Sequence, residues 1–142
     1  MTYRFLFLIL TFSFTSCMAQ QRQPFADYQW SHRLLLVFAP DLQNEALLEQ
    51  KADWSQVAEG MEERNLKIWI ITPEDIQGEP IPYSAAHLYD YYQVARADFE
   101  VILIGKDGGI KQRQHQPLMS QTLFAIIDAM PMRRSEMRKK NE

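Results

Sequence analysis

The sequence predicts one α/β domain with the element order β-α-β-α-β-β-α, a single sheet covered by helices. Three observations carry that expectation. Two apolar runs, Arg33 to Ala39 and Leu66 to Thr72, each stop at a proline and flank a long stretch of helical periodicity. A third run, Phe99 to Ile104, turns back across glycines into a returning strand. A chain of 142 residues has room for one domain of ordinary size, not two. With 46% hydrophobic residues it can bury a core without disulfides or a structural metal.

The N-terminus reads as an export signal. Arg4 precedes an apolar run from Phe5 to Phe14, followed by small residues, and the run is too short to span a bilayer as a helix. Two processing routes stay open. Cys17-Met18-Ala19 suits cleavage before Gln20, giving a leader over residues 1–19. Phe14-Thr15-Ser16-Cys17 resembles a bacterial lipobox, giving a leader over 1–16 with Cys17 lipidated, although phenylalanine stands where leucine is usual. Either way, the single cysteine is removed or acylated, so the mature domain has no disulfide, thiol nucleophile or thiolate metal site. Without Arg4, 14 basic residues face 18 acidic ones, a net charge of −4 that argues against general nucleic-acid binding.

Residues 20–30 are polar, carry Pro24 and show no period, so they are expected to be a linker before a domain over 31–137, with 138–142 as a basic tail. Arg33-Leu-Leu-Leu-Val-Phe-Ala39 suits a central strand covered on both faces, ended by Pro40. A helix is expected from about Asp41, as N-cap, to Arg64. Its face is Leu47, Trp54, Val57, Ala58 and Met61, with Gln50, Lys51, Gln56 and Glu59 mostly off it and Asn65 as the stop. Leu66 to Thr72 is the second strand, closed by Pro73, and strand–helix–strand makes a right-handed crossover with parallel strands. Pro73 to Pro82 reads as a loop, and Ser84 caps a short helix to about Gln93. Phe99 to Ile104 is the third strand. Asp107-Gly108 or Gly108-Gly109 supplies the hairpin turn, and Ile110 to Gln114 returns with Ile110 and Gln112 on one face and Lys111 and Arg113 on the other. A closing helix spans Pro117 to Met130 and stops at Pro131, with the basic tail as a possible further short helix. Trp30, Trp54 and Trp69 read as core or near-core. This order is the connectivity of a thioredoxin-like sandwich.

In such a fold a redox pair stands just after the first strand, where this chain has Pro40-Asp41-Leu42-Gln43. The proline common before the third strand is replaced by Ala97-Asp98. Thiol chemistry is excluded by residue type. Gly105-Lys106-Asp107-Gly108-Gly109, with Lys111 and Arg113, could hold an anion or a partner, since glycines admit a close backbone and the cations supply charge. A plain hairpin with a basic edge strand that resists sheet-to-sheet pairing accounts for the same residues. Neither a Walker motif nor a GxGxxG turn is present, His32, His87 and His115 lack metal-ligand spacing, and no cofactor or metal is expected. His87 and Asp90 lie three apart beside Tyr91, which reads first as an exposed helical pair. Asp128 interrupts the last helix near Arg133 and Arg134, which reads first as an ion pair or cap.

VILIGKDGGIKQR followed by LFAIIDAMPMRRSEM resembles the domain of unknown function family 4174, and RLLLVFAP and the helix ending Glu63-Arg64-Asn65-Leu66 agree with it. Lys106, Asp107, Gly108, Gly109, Lys111, Asp128, Met130, Pro131, Arg133 and Arg134 match its shared pattern, whereas Gln112 and Gln114 around Arg113 depart from it. The resemblance implies a cysteine-free relative of thioredoxins and peroxiredoxins, found in bacterial exported proteins and in animal extracellular-matrix proteins, with no established activity. The expectation is an exported module binding an envelope or extracellular partner, touching membrane only through lipidated Cys17. Its contact surface is Lys106, Asp107, Gly108, Gly109, Lys111 and Arg113 with Asp128, Arg133 and Arg134. The alternative is a thiol-independent enzyme, a hydrolase or phosphoryl-handling activity, using Asp107 or Asp128 with Arg or His.

Overall fold

The structure is a computed structural model that describes residues 23–142, so the expected leader and Cys17 lie outside the described residues. β1 (Arg33–Phe38) is buried at all six positions because it lies inside the sheet, between β2 (Leu66–Ile71) and β4 (Glu100–Ile104). Burying each of its aliphatic side chains is worth roughly 1.5–3 kcal/mol, which makes this run the natural centre of the core. β1 pairs with β2 in parallel from Arg33↔Leu66 to Phe38↔Ile71, and with β4 antiparallel from Leu34↔Ile104 to Phe38↔Glu100. β5 (Ile110–Gln114) closes one edge beside β4, and a two-residue strand, β3 (Ile76–Gln77), lies outside the end of β2.

Alternation along β1 and β4 sends Leu35, Val37, Val101 and Leu103 to one face and Leu34, Leu36, Phe38, Ile102 and Ile104 to the other. The first face is covered by α1 (Glu45–Trp54), α2 (Ala58–Glu63) and α4 (Ser120–Asp128) through Leu47, Met61, Leu123 and Ile127. The second is covered by α3 (Ala85–Tyr92) through Leu88, Tyr89 and Tyr92, with Phe25 beside them. This is the expected thioredoxin-like sandwich.

Several elements differ from expectation, each for a physical reason. The long helix is two helices. Asn44, not Asp41, caps α1, its side chain accepting from Leu47 N at 3.2 Å, while Asp41 accepts from Gln43 N at 2.8 Å in a local turn. The helix breaks at Ser55–Val57, where the Ser55 hydroxyl bonds back to Ala52 O. Gly60 of α2 is required by close approach, since a Cβ there would sit 2.8 Å from the Phe124 ring. Gln50, placed off the apolar face by pattern, is fully buried. It donates to Leu118 O at 2.9 Å and accepts from Leu118 N, pinning the approach to α4. Asp53 caps α4 from across the face, accepting from Ser120 N at 2.7 Å. The expected loop over 73–82 contains β3. The basic tail is a full helix, α5 (Pro131–Lys140), with Pro131 at its first turn, where its missing N–H costs nothing. Residues 23–30 are no linker: Phe25 is 4% exposed, its ring 4.8 Å from that of Trp69.

Gln50→Ala is expected to lower unfolding free energy by about 2–3 kcal/mol, because it leaves the Leu118 N–H and C=O buried without partners. Denaturant unfolding measures this, and a loss below about 0.5 kcal/mol contradicts the pinning role.

Candidate functional site

The sandwich has two poles at opposite ends of β1. At the C-terminal end of β1, where the sequence reading places a redox pair, stand Pro40-Asp41-Leu42-Gln43, and Ala97-Asp98 precede β4. Tyr89 seals this end: its hydroxyl lies 2.9 Å from Ala39 O and 3.1 Å from Ile71 O, and burial pushes it up to about 12, so it stays a donor to these strand ends.

The other pole carries the hairpin turn between β4 and β5. Gly105 N donates to Gly109 O at 2.9 Å, and of the two turn glycines only Gly108 has a positive φ, 82°. Asp107 accepts from Gly109 N at 3.1 Å and pairs with Lys111 at 2.6 Å. The lysine hydrogen bond holds this carboxyl below its ordinary value despite some burial. The segment expected to be a linker grips the turn from outside. Gln23 donates to Gly108 O at 3.1 Å, Gln29 to Asp107 O at 2.9 Å, and Trp30 N to Lys106 O at 2.6 Å.

Behind the turn lies an ionic cluster. Arg33, 1% exposed at the start of β1, donates through two nitrogens to Glu136 of α5, both at 3.2 Å, and to Arg64 O at 2.8 Å. Glu136 also takes Lys106 at 2.8 Å, and Lys106 donates to the Asn65 side chain at 2.9 Å. Arg133, also buried, reaches Asp128 at 3.2 Å and Glu63 at 3.0 Å. Asp128 in turn accepts from Arg64 at 3.0 and 2.6 Å, and the Arg64 guanidinium lies 4.0 Å over the Phe124 ring.

The sequence-nominated residues therefore divide. Lys106 is held by Glu136, Lys111 by Asp107, and Asp128 and Arg133 by one another, while Arg134 is exposed with no ion pair among the described residues. Arg113 does not join them. The β4–β5 register steps from Leu103↔Gln112 to Ile104↔Ile110, leaving Lys111 in a bulge. The expected alternation thus fails: Lys111 turns to the α5 side, while Arg113 pairs on the α3 side with Glu100, which is 2% exposed, and donates to Gln93 O at 3.3 Å. His87 does not engage Asp90, and its ring stacks on Tyr83 at 5.7 Å instead.

What the pattern missed is an apolar feature. Trp30, read as near-core, is 64% exposed. Its φ of 69° places a bulky residue in the left-handed region, which turns the side chain outward, and the bond to Lys106 O holds it there. It overhangs a groove of about 390 Å³ that also involves Gly105, Lys106, Lys111, Met130 and Met132. The one sequence signal for Trp30 was its polar setting, Gln29 before it and Ser31-His32 after it. Among the described residues, no group of three or more His, Cys, Asp or Glu side chains could hold a metal, and no helix is long and apolar enough to cross a membrane.

The pattern of the family described as Domain of unknown function (DUF4174) matches residues 24–136. Coiled-coil domain-containing protein 80 of Danio rerio is 25% identical over 130 residues, covering 78% of this chain and 15% of that protein, so the chain spans a small part of its relative. The reduced 2-Cys peroxiredoxin of Plasmodium vivax superposes with a TM-score of 0.62 at 12% identity, covering 80% of this chain and 84% of that one, a likeness of fold.

The ionic cluster makes stability acid-sensitive. Burial alone raises the Asp128 carboxyl, but the bonds and charges of Arg64 and Arg133 bring it below its ordinary value. Glu136 is likewise raised by burial and brought lower by Lys106 and Arg33. Depressed carboxylates contribute stability above their unfolded value of about 4, and that contribution is lost as pH falls through the folded value. The melting temperature is expected to stay level from about pH 7 to 5 and to fall below about pH 4. Asp128→Asn/Glu136→Gln should melt lower at neutral pH and show a shallower acid limb. An unchanged acid slope in that variant contradicts the assignment.

Proposed function

The chain belongs to the DUF4174 family, and from that premise we propose that it is an exported, non-catalytic binding module on a thioredoxin-like scaffold, with the hairpin pole as its contact surface. The observation that carries the reading is Trp30, a 64% exposed indole held outward beside a groove edged by Met130 and Met132. A fixed exposed aromatic over an apolar groove is the kind of anchor on which protein contacts concentrate their binding energy. Lys106 of the KDGG turn and Lys111 of β5, being paired with Glu136 and Asp107, shape this surface more than they charge it.

The partner in this reading is an envelope or extracellular macromolecule. Nucleic acid is disfavoured by the acidic balance of the mature chain and by cations engaged in internal pairs. Export rests on the leader-like residues 1–19, and membrane attachment on lipidation of Cys17. Thiol chemistry has no residue at the Pro40–Gln43 position. The enzymatic alternative gains nothing from the geometry. Asp107 and Asp128 are both held ionised by their cations, so neither is a proton donor near neutral pH.

Three readouts, two on purified protein and one on fractionated cells, test this reading. The purified chain is expected to turn over neither peroxide nor insulin disulfides, and turnover of either overturns the non-catalytic reading. Pull-down from envelope extracts is expected to recover a partner with wild type that Trp30→Ser/Met132→Ser loses. Identical partner lists remove the groove as the contact surface. Fractionated cells should hold the full chain in the envelope or medium, and a purely cytoplasmic protein contradicts export.

A further inference from the structure

The segment from Gln23 to Ser31 lies across the hairpin pole as a strap, and two opposed effects set how firmly it closes. In favour stands one buried anchor: the Phe25 ring lies 4.8 Å from that of Trp69 and 5.9 Å from that of Tyr83. Tyr28 adds its own ring, 5.1 Å from Trp69, and donates from its hydroxyl to Glu79 at 2.9 Å. Against closure stand two bulky residues with left-handed backbones, Phe25 at φ 63° and Trp30 at φ 69°. They bracket the short 3-10 helix Ala26–Tyr28. Together the two left-handed conformations cost about as much as burying one aromatic ring returns.

The strap's ties to the turn are few and lie at the surface. Gln23 and Gln29 reach Gly108 O and Asp107 O through exposed side-chain bonds, and one backbone bond, from Trp30 N to Lys106 O, completes the grip. The other backbone bonds close within the strap: Tyr28 N donates to Phe25 O, Gln29 N to Ala26 O, and the amides of Ser31 and His32 to Tyr28 O. No strap residue belongs to the sheet, which begins at Arg33. A segment bonded internally, strained near both ends and held from outside by exposed polar contacts belongs at the low end of local stability.

We propose that Gln23–Ser31 is a clasp that opens and closes as one unit while the sandwich stays folded, and that the Trp30 groove exists only in the closed state. Trp30 is carried by the strap, and its bond to Lys106 O brings the indole over Met130 and Met132. The rest of the pole stays in place when the clasp opens, since Lys106 remains tied to Glu136 and Lys111 to Asp107. Opening therefore removes one wall of the groove and uncovers the apolar bed of Phe25, formed by Leu34, Ile104 and Trp69. The clasp regulates the contact surface, and in that respect it rests on the reading of the groove as one. Its opening is read without a partner, so a clasp that does not open and a groove that binds nothing are separate results.

Native-state hydrogen exchange of the purified protein at low denaturant is the test. The amides of Tyr28, Gln29, Trp30, Ser31 and His32 are expected to share one protection factor, at least about a hundredfold below that of the β1 amides and nearly independent of denaturant. Gln23→Ala/Gln29→Ala should lower all five together by about fivefold or more. Trp30→Gly should protect them about threefold better than Trp30→Ala, because only glycine escapes the left-handed penalty. With 5-fluorotryptophan incorporated, fluorine NMR of Phe25→Ala should show the Trp30 line at the position of the free amino acid and the Trp54 line unmoved, with Trp30→Phe identifying the line. Circular dichroism checks the fold of Phe25→Ala, and the glutamine variant, which keeps the anchor, decides by exchange if that variant unfolds. Strap amides that exchange only with global unfolding, that respond one at a time, or that are equally protected in Trp30→Gly and Trp30→Ala overturn the clasp. A Trp30 line unmoved in folded Phe25→Ala overturns its hold on the groove.

Discussion

A guanidinium with 1% exposure at the head of the central strand must meet a counter-charge, and Arg33 meets Glu136. Burying an arginine without such a partner costs several kcal/mol, a large part of the stability of a domain this size. The partner comes from α5, the last helix, so the first strand of the core and the last helix of the chain are tied by one carboxylate. Because Glu136 also takes Lys106, the same carboxylate holds the hairpin that follows β4. The pole around Trp30, the KDGG turn and Met130–Met132 keeps its shape because this link holds strand, turn and helix in fixed relation.

That constraint explains why the charged residues that stand out in the sequence do not form a ligand-binding cluster. Most of them are counter-ions for one another. Asp128 and Arg133 join α4, α5 and the end of α2 through Arg64 and Glu63, Lys111 closes its own turn on Asp107, and Arg113 satisfies Glu100 on the far face. What the pole offers outward is apolar, an indole and methionines. At the opposite pole, the Tyr89 hydroxyl closes over the ends of β1 and β2 at Ala39 O and Ile71 O.

Much of the fold was legible because the strongest signals were the least ambiguous. Three apolar runs stopped by prolines or a glycine read as strands, and they form the three inner strands of the sheet, with the glycine turn after the third opening the hairpin. The rest was hidden for specific reasons. Gln50 is polar, yet it is buried because both ends of its amide find the Leu118 backbone. The break between α1 and α2 follows from local bonds at Ser55 and from Phe124 packing on Gly60, neither of which periodicity registers. β3 is too short for any alternation to show. The bulge at Lys111 parts two cations that a regular strand keeps on one face. For the candidate site, the turn was legible and its chemistry was not. Glu136, the residue on which the pole depends, stands between Arg134 and Arg138 just ahead of the expected basic tail, where nothing in the sequence pairs it with Arg33, and the left-handed backbone of Trp30 leaves no mark in the pattern.

A double-mutant cycle between Arg33 and Glu136, read by denaturant unfolding of Arg33→Met, Glu136→Leu and the pair, tests the central link most directly. Each single change strands a partner, whereas the pair replaces both charges with apolar groups. The predicted result is a coupling energy of at least about 1 kcal/mol, with the double variant more stable than the sum of the single losses implies. Additive losses, with coupling below about 0.3 kcal/mol, would contradict the claim that this contact ties the last helix to the core.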